Sequence, residues 1–210
     1  MMRVLIADDH TVVRHGLKEI VERGFGEAVF AEAQDAQEAL QQVRQHPWDV
    51  AIFDVAMPGR SGLDIIQEVK RLRPELPIVL LSMYAEEQYA KRALKAGASG
   101  YITKDRAAEE LIKAIKKVIK GGRYVSEALA ERLAAHLGQD EQGKPHETLS
   151  DREFEILRLI AAGSKPSAIA KTLNLSVKTV NTYRARVLDK MQLKSTAELI
   201  KYALRNKLIE

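Results

Sequence analysis

The chain has 210 residues, 46% hydrophobic and 30% charged, with a formal net charge of +4 and no cysteine. This is a globular composition with room for two modest domains, and it excludes disulfides, thiol catalysis and cysteine-ligated zinc. No apolar run approaches a bilayer span, and Asp8 and Asp9 follow the start too closely for a signal peptide, so a cytoplasmic protein without membrane contact is expected.

The charge is uneven. Residues 1–120 carry 18 basic and 18 acidic side chains, residues 121–147 carry 3 and 5, and residues 148–210 carry 12 and 6. A basic terminal domain joined to a neutral one points to contact with a polyanion. The histidines His10, His15, His46, His136 and His146 fall at no metal-ligand spacing and read as mostly surface residues.

From the start, strands and helices alternate. Arg3 to Asp8 reads as a short apolar strand, and Val12, Val13, Leu17, Ile20 and Val21 then recur at helical spacing. Ala28 to Ala33 is a second strand and Ala36 to Gln45 a second helix. Val50-Ala51-Ile52-Phe53 is an apolar run too short for a self-burying helix; it delivers Asp54 to its carboxyl end and turns at Pro58-Gly59. A helix from Gly62 to Arg73, a strand from Ile78 to Ser82, a helix from Glu86 to Ala96, a strand from Gly100 to Lys104 and a helix from Ala108 to Lys120 complete the series. Five such units predict a flavodoxin-like parallel sheet covered by helices on both faces.

That sheet would bring the carboxyl ends of its strands to one edge, where Asp8, Asp9, Asp54, Ser82 and Lys104 would converge. Clustered carboxylates repel unless a cation is present, and hard oxygen donors suit Mg²⁺. Asp54 is then a plausible nucleophile for an acyl phosphate, with Lys104 and Ser82 placed to meet phosphoryl oxygens.

Five features in order, the Asp8-Asp9 pair, Asp54 before Met57-Pro58-Gly59, Ser82, the segment from Ala96 to Tyr101, and Lys104, resemble the receiver domain of a two-component response regulator. The resemblance implies that Asp54 is the phosphoacceptor from a histidine kinase. It further implies Mg²⁺ held by Asp9, Asp54 and the backbone carbonyl of Ala56, with Asp8 assisting, Lys104 and Ser82 on the phosphoryl oxygens, and Tyr101 as the aromatic that follows Ser82. Two positions depart from the common pattern: Asp105 stands where many receivers have proline, and Met83 where many have a small residue.

Gly121-Gly122 ends the last helix of this domain, Ser126 to Leu137 reads as one further helix, and Gly138 to Glu147 as a polar linker. The expected domains are therefore residues 1–120, a linker of 121–147 with one helix, and 148–210. Ser150 and Glu153 form a capping-box pattern, Gly163 and Pro166 punctuate two helices, and Ser176 opens a longer helix from Val177 to Met191. With Val180 and Val187 inward, that helix turns Lys178, Asn181, Thr182, Ala185, Arg186 and Asp189 outward, the pattern of a helix-turn-helix.

Leu149 to Glu153, Ile169-Ala170, Leu175 to Val180 and Lys190-Met191 resemble the LuxR-type DNA-binding domain of the NarL/FixJ subfamily. The resemblance implies Lys178, Asn181, Thr182 and Ala185 facing the DNA groove, with Thr179, Arg184 and Arg186 near phosphates. Lys165-Pro166-Ser167-Ala168 departs from the Asn-Lys-Glu pattern common before the Ile-Ala pair. The helix Thr196 to Arg205, with Leu199, Ile200, Ala203 and Leu204, carries more apolar surface than a small core needs, so a homodimer through it or through the receiver is expected. The rival from another class is a metal-dependent phosphohydrolase, which needs a lid that no loop here is long enough to build.

Overall fold

The apolar runs become one parallel sheet. The computed structural model describes residues 1–55, 57, 62–83, 87–135, 144–206 and 208–209, with the backbone alone at Gly62, Asp64, Glu87, Gln88, Arg132, Leu133, Ala135 and Asp151. The expected Pro58-Gly59 turn, the start of the fourth helix at Glu86 and most of the polar linker lie outside the described residues. Two compact units result, Met1–Leu137 and Gly138–Glu210.

In the first unit the strands are β1 (Met2–Ala7), β2 (Ala28–Ala33), β3 (Val50–Asp54), β4 (Ile78–Ser82) and β5 (Gly100–Thr103), in the order β2-β1-β3-β4-β5. All pairs are parallel. Strands β3 and β4 are buried along their whole length, as strands covered on both faces must be. The covering helices are α1 (Thr11–Phe25), α2 (Ala36–Gln45), α3 (Gly62–Leu72), α4 (Glu87–Ala96) and α5 (Ala107–Val118). Asp35 caps α2 by accepting from the amides of Gln37 and Glu38. Gly97 takes φ +108, a conformation that favours glycine, in the turn that leads from α4 towards β5.

Two boundaries differ from expectation. Strand β5 stops at Thr103, and Lys104–Arg106 is a 3₁₀ turn, so Lys104 enters the site from a turn rather than from a strand. All described peptide bonds are trans. The first unit also runs past residue 120. Tyr124 bridges to Gly100 beside β5, with Tyr101 N–H donating to the Tyr124 carbonyl and Tyr124 N–H to that of Ser99. Helix α6 (Glu127–Ala135) follows and packs on α4, with Leu129 buried. A segment expected as part of the linker thus adds an edge to the sheet.

The second unit holds α7 (Asp151–Ala161), α8 (Pro166–Thr172), α9 (Val177–Lys190) and α10 (Thr196–Arg205). Ser150 and Glu153 form the expected capping box, Ser176 caps α9 and Ser195 caps α10. Asn174 has φ +50 in the turn between α8 and α9, where a short polar side chain tolerates the left-handed region. Phe154, Ile156, Leu157, Val180, Val187, Leu199 and Ala203 are all buried.

Polar contacts fasten these helices to one another beside the apolar core. Glu153 accepts from Lys190 Nζ at 2.7 Å as well as from the Ser150 amide at 2.8 Å, fastening the start of α7 to the end of α9. Buried Arg152 donates to Glu155 at 2.6 Å and to the Leu173 carbonyl at 3.3 Å. Burial raises the Glu153 pKa, but Lys190 and Ser150 outweigh it and hold the carboxyl below its ordinary value of 4.5.

Because its folded pKa is depressed, Glu153 stabilises the second unit fully above pH 4.5 and less as the pH falls through the folded value. Glu153→Gln is expected to flatten this acid limb when thermal unfolding of the full chain is followed against pH. An acid limb as steep as that of the wild type would show that other groups carry it.

Candidate functional site

Sheet order decides where the polar strand ends meet. In the order β2-β1-β3-β4-β5 the chain reverses direction of winding between β1 and β3, and the carboxyl ends beside that switch form a crevice. Asp8 follows β1 and Asp54 ends β3; both are buried, while Asp9 is exposed. Lys104 reaches across from beyond β5 and sets Nζ at 2.6 Å from Asp8 Oδ2 and 3.0 Å from Asp54 Oδ2. Burial alone would lower its pKa, but Asp54 and then Asp8 hold it above the ordinary lysine value. Its ammonium therefore stays charged at physiological pH.

Ser82, at the end of β4, is wholly buried and is paired in register with Thr103. Tyr101 is buried too, and its strand neighbour is Leu80. Together with Thr103, Arg106, Ser126 and Leu129 it lines a cavity of about 230 Å³ between the β5 edge and α6. Met83 is exposed immediately after Ser82. Ala56, expected to offer a backbone carbonyl, lies outside the described residues.

Asp8, Asp9, His10 and Asp54 each offer a ligand atom within 4.8 Å of the others. Three carboxylates with one ammonium beside them form a donor set for a hard divalent cation. The expectation of mostly surface histidines holds for His10 and needs one correction, at His146. His10 is solvent-exposed but belongs to the acidic group, with Nδ1 2.8 Å from Asp9 Oδ1. His146 is buried because its Nδ1 meets the Tyr202 hydroxyl at 2.7 Å and its ring packs on Phe154.

A further residue escaped the sequence. Arg14 on α1 is buried; it donates to the Asp8 carbonyl at 2.7 Å, to Glu32 on β2 at 2.6 Å and to Thr11 at 3.2 Å. Lys18 also donates to Glu32, and Lys18 and then Arg14 hold that carboxyl below its ordinary range. This chain of contacts fixes the backbone at Asp8. Asp105 keeps its carboxyl ionised to lower pH through the Thr103 hydroxyl.

In the second unit α9 presents the expected polar face. Lys178, Asn181, Thr182, Ala185 and Arg186 are exposed, whereas Thr179 and Arg184 are half-buried. Thr179 shares a 2.8 Å contact with the capping Ser176, and Thr182 donates to the Lys178 carbonyl. Arg186 lies over the Tyr183 ring at 5.8 Å, which holds its guanidinium along the helix. On α10, Leu199 and Ala203 are consumed by the core, leaving Leu204 exposed and Ile200 half-buried. The surplus of apolar surface expected of α10 is therefore smaller than its composition suggests.

Comparison with known proteins agrees with this division. Residues 4–116 match the response regulator receiver domain, and residues 147–203 match bacterial regulatory proteins of the luxR family. The chain is 36% identical to the response regulator GacA of Pseudomonas aeruginosa, covering 100% of this chain and 99% of the relative. It is 41% identical to the oxygen regulatory protein NreC of Staphylococcus epidermidis, over 100% of both. Among solved structures it resembles RcsB from Salmonella enterica serovar Typhimurium bound to promoter rprA in the presence of phosphomimetic BeF3-. That similarity has a TM-score of 0.62 and 29% identity, and covers 96% of this chain and 98% of the other.

Replacing Lys104 by Met would leave Asp8 and Asp54 buried without the ammonium between them. The expected loss is about 3–5 kcal/mol in denaturant unfolding, since removing one partner strands buried charge. The raised folded pKa means the lysine's contribution is complete below pH 10.5 and is lost as the pH rises through the higher folded value. Unchanged stability in Lys104→Met would show that the carboxylates do not depend on it.

Proposed function

The chain belongs to the NarL/FixJ family of two-component response regulators, and from that premise we propose that Asp54 accepts a phosphoryl group from a histidine kinase and thereby controls promoter binding by the second unit. The observation that carries this reading is the buried pair of Asp8 and Asp54 bridged by one lysine at a sheet switch point. An Asp54 carboxylate oxygen attacks phosphorus; a P–O bond forms as the P–N bond to the kinase imidazole breaks. Lys104, already 3.0 Å from Asp54, is placed to pair with a phosphoryl oxygen, and Ser82 to donate to a second one. Tyr101 is the aromatic whose position follows Ser82.

The acidic cluster of Asp8, Asp9 and Asp54 suits Mg²⁺; Asp9, Asp54 and the Ala56 carbonyl would hold it, with Asp8 assisting. When bound, it neutralises the carboxylates and the incoming phosphoryl charge. The protein acts as a switch rather than as a phosphohydrolase, so one lasting adduct is expected instead of turnover. No helix among the described residues is long and apolar enough to cross a membrane, which accords with a cytoplasmic site of action.

On α9, Lys178, Asn181, Thr182 and Ala185 face the major groove, and Thr179, Arg184 and Arg186 approach phosphates. The basic excess of residues 148–210 supports this assignment. One helix-turn-helix reads few bases, so two copies bind a two-fold site as a homodimer through the exposed side of α10, the receiver, or both. The similar RcsB structure is bound to a promoter in the presence of a phosphoryl mimic.

Asp54→Ala is expected to lose all labelling by an acyl-phosphate donor, and Asp9→Ala to need more Mg²⁺ for the same labelling. Undiminished labelling of Asp54→Ala would place the acceptor elsewhere.

Arg184→Ala and Arg186→Ala should weaken binding to all DNA sequences alike and reduce the salt slope by about one unit each. Asn181→Ala should relax preference at one base pair, at roughly 1–3 kcal/mol. Salt titrations of DNA affinity with slopes equal to wild type for both arginine variants would contradict the assigned face.

A further inference from the structure

Every polar atom of Asp8 is engaged. Its amide donates to the Ala33 carbonyl at 3.2 Å, Oδ1 accepts from the His10 amide at 2.8 Å and Oδ2 accepts from Lys104 at 2.6 Å. The remaining atom, the carbonyl oxygen, accepts from Arg14 at 2.7 Å. That oxygen belongs to the peptide plane joining Asp8 to Asp9, a rigid unit that also contains the Asp9 Cα. Asp9 is exposed, so the direction of its carboxylate depends on this plane more than on packing around the side chain.

The guanidinium that holds the plane is built into the fold. It comes from the first turn of α1, where the Arg14 amide donates to the His10 carbonyl, and Arg14 is only 4% exposed. Buried positive charge needs a partner. Glu32 on β2 supplies it at 2.6 Å, and Lys18 and then Arg14 keep that carboxyl ionised below its ordinary range. A guanidinium needed only to pin α1 to β2 would be satisfied by that pair. The fork of Arg14 instead spans three acceptors: Glu32, the Thr11 hydroxyl at 3.2 Å and the carbonyl between the two acids. Because Glu32 answers the charge, the acids gain an orienting bond without a bare cation beside them.

We propose that Arg14 is a positioning residue for the cation site: through the Asp8 carbonyl it sets the peptide plane from which Asp9 projects, and so sets the affinity for Mg²⁺ without touching the ion. Mg²⁺ is sensitive to such aim because it demands near-octahedral geometry. Removing a group that orients a direct ligand commonly lowers metal affinity by roughly tenfold to a hundredfold. A lysine at the same position keeps the positive charge but lacks the planar fork that spans Glu32 and the carbonyl. The proposal rests on the assignment of Asp9 and Asp54 as a cation site.

The test uses the full-length protein, calorimetric titration with Mg²⁺ alone, and labelling of Asp54 by an acyl-phosphate donor across Mg²⁺ concentrations. Arg14→Lys and Arg14→Gln are compared with Lys18→Met, which removes the other basic partner of Glu32 and leaves the bond to the Asp8 carbonyl in place. Cooperative thermal unfolding of each variant is confirmed first. Expected are a roughly tenfold loss of Mg²⁺ affinity in both Arg14 variants, the wild-type labelling maximum once Mg²⁺ saturates, and wild-type affinity in Lys18→Met. Equal affinities in the wild type and a folded Arg14 variant would overturn the role of Arg14, while Mg²⁺ binding abolished by Asp9→Ala would leave the cation site standing. A loss in Lys18→Met as large as in the Arg14 variants would also overturn it, because pinning α1 to β2 would then account for the effect. Absence of Mg²⁺ binding to the wild type would overturn both.

Discussion

Two buried carboxylates facing each other across a sheet switch point are the constraint around which the first unit is built. Asp8 and Asp54 arrive there because β1 and β3 are neighbours in register, Ala7 beside Phe53, with Asp8 directly after β1 and Asp54 at the end of β3. Such a pair is unfavourable in a low-dielectric crevice unless positive charge is brought to it. Lys104 supplies one ammonium from the opposite end of the topology, and a divalent cation is the natural second. Opposed charges thus hold the site, and under the proposed phosphorylation of Asp54 an added phosphoryl group would rearrange them, as a switch requires.

The supporting contacts are as specific as the site. Arg14 ties the Asp8 carbonyl to Glu32, so α1, β1 and β2 are locked where the acid emerges. At the other edge Tyr124 extends the sheet beside β5, and α6 follows onto α4 near buried Tyr101. Tyr101 and Leu129 of α6 line one cavity. In the second unit the Glu153–Lys190 pair fastens the start of α7 to the end of α9, and Arg152 ties α7 to the Leu173 carbonyl that follows α8.

Most of this was legible where local pattern and function coincide. Short apolar runs ending in Asp8, Asp54 and Ser82 announce strands and their site, and Ser150 and Ser176 announce the helices they cap. Partners far away in sequence were not legible. Arg14 looks like an outward residue of an amphipathic helix until Glu32, 18 positions on, is beside it. His146 reads as a surface residue because Tyr202 lies 56 positions away. Gly121-Gly122 ends a helix in any reading, but nothing local says that Tyr124 will join the sheet or that Leu129 will be buried. Likewise the apolar residues of α10 could not be divided between core and surface before the crossing with α7 was known.

The central claim is that chemistry at Asp54 governs what α9 does on DNA. The most direct measurement is the affinity of the full-length chain for an operator selected from random duplexes, before and after treatment with an acyl-phosphate donor and Mg²⁺, with Asp54→Asn alongside. Affinity should rise in the wild type and stay constant in Asp54→Asn. An equal rise in both, or none in the fully labelled wild type, would contradict the account.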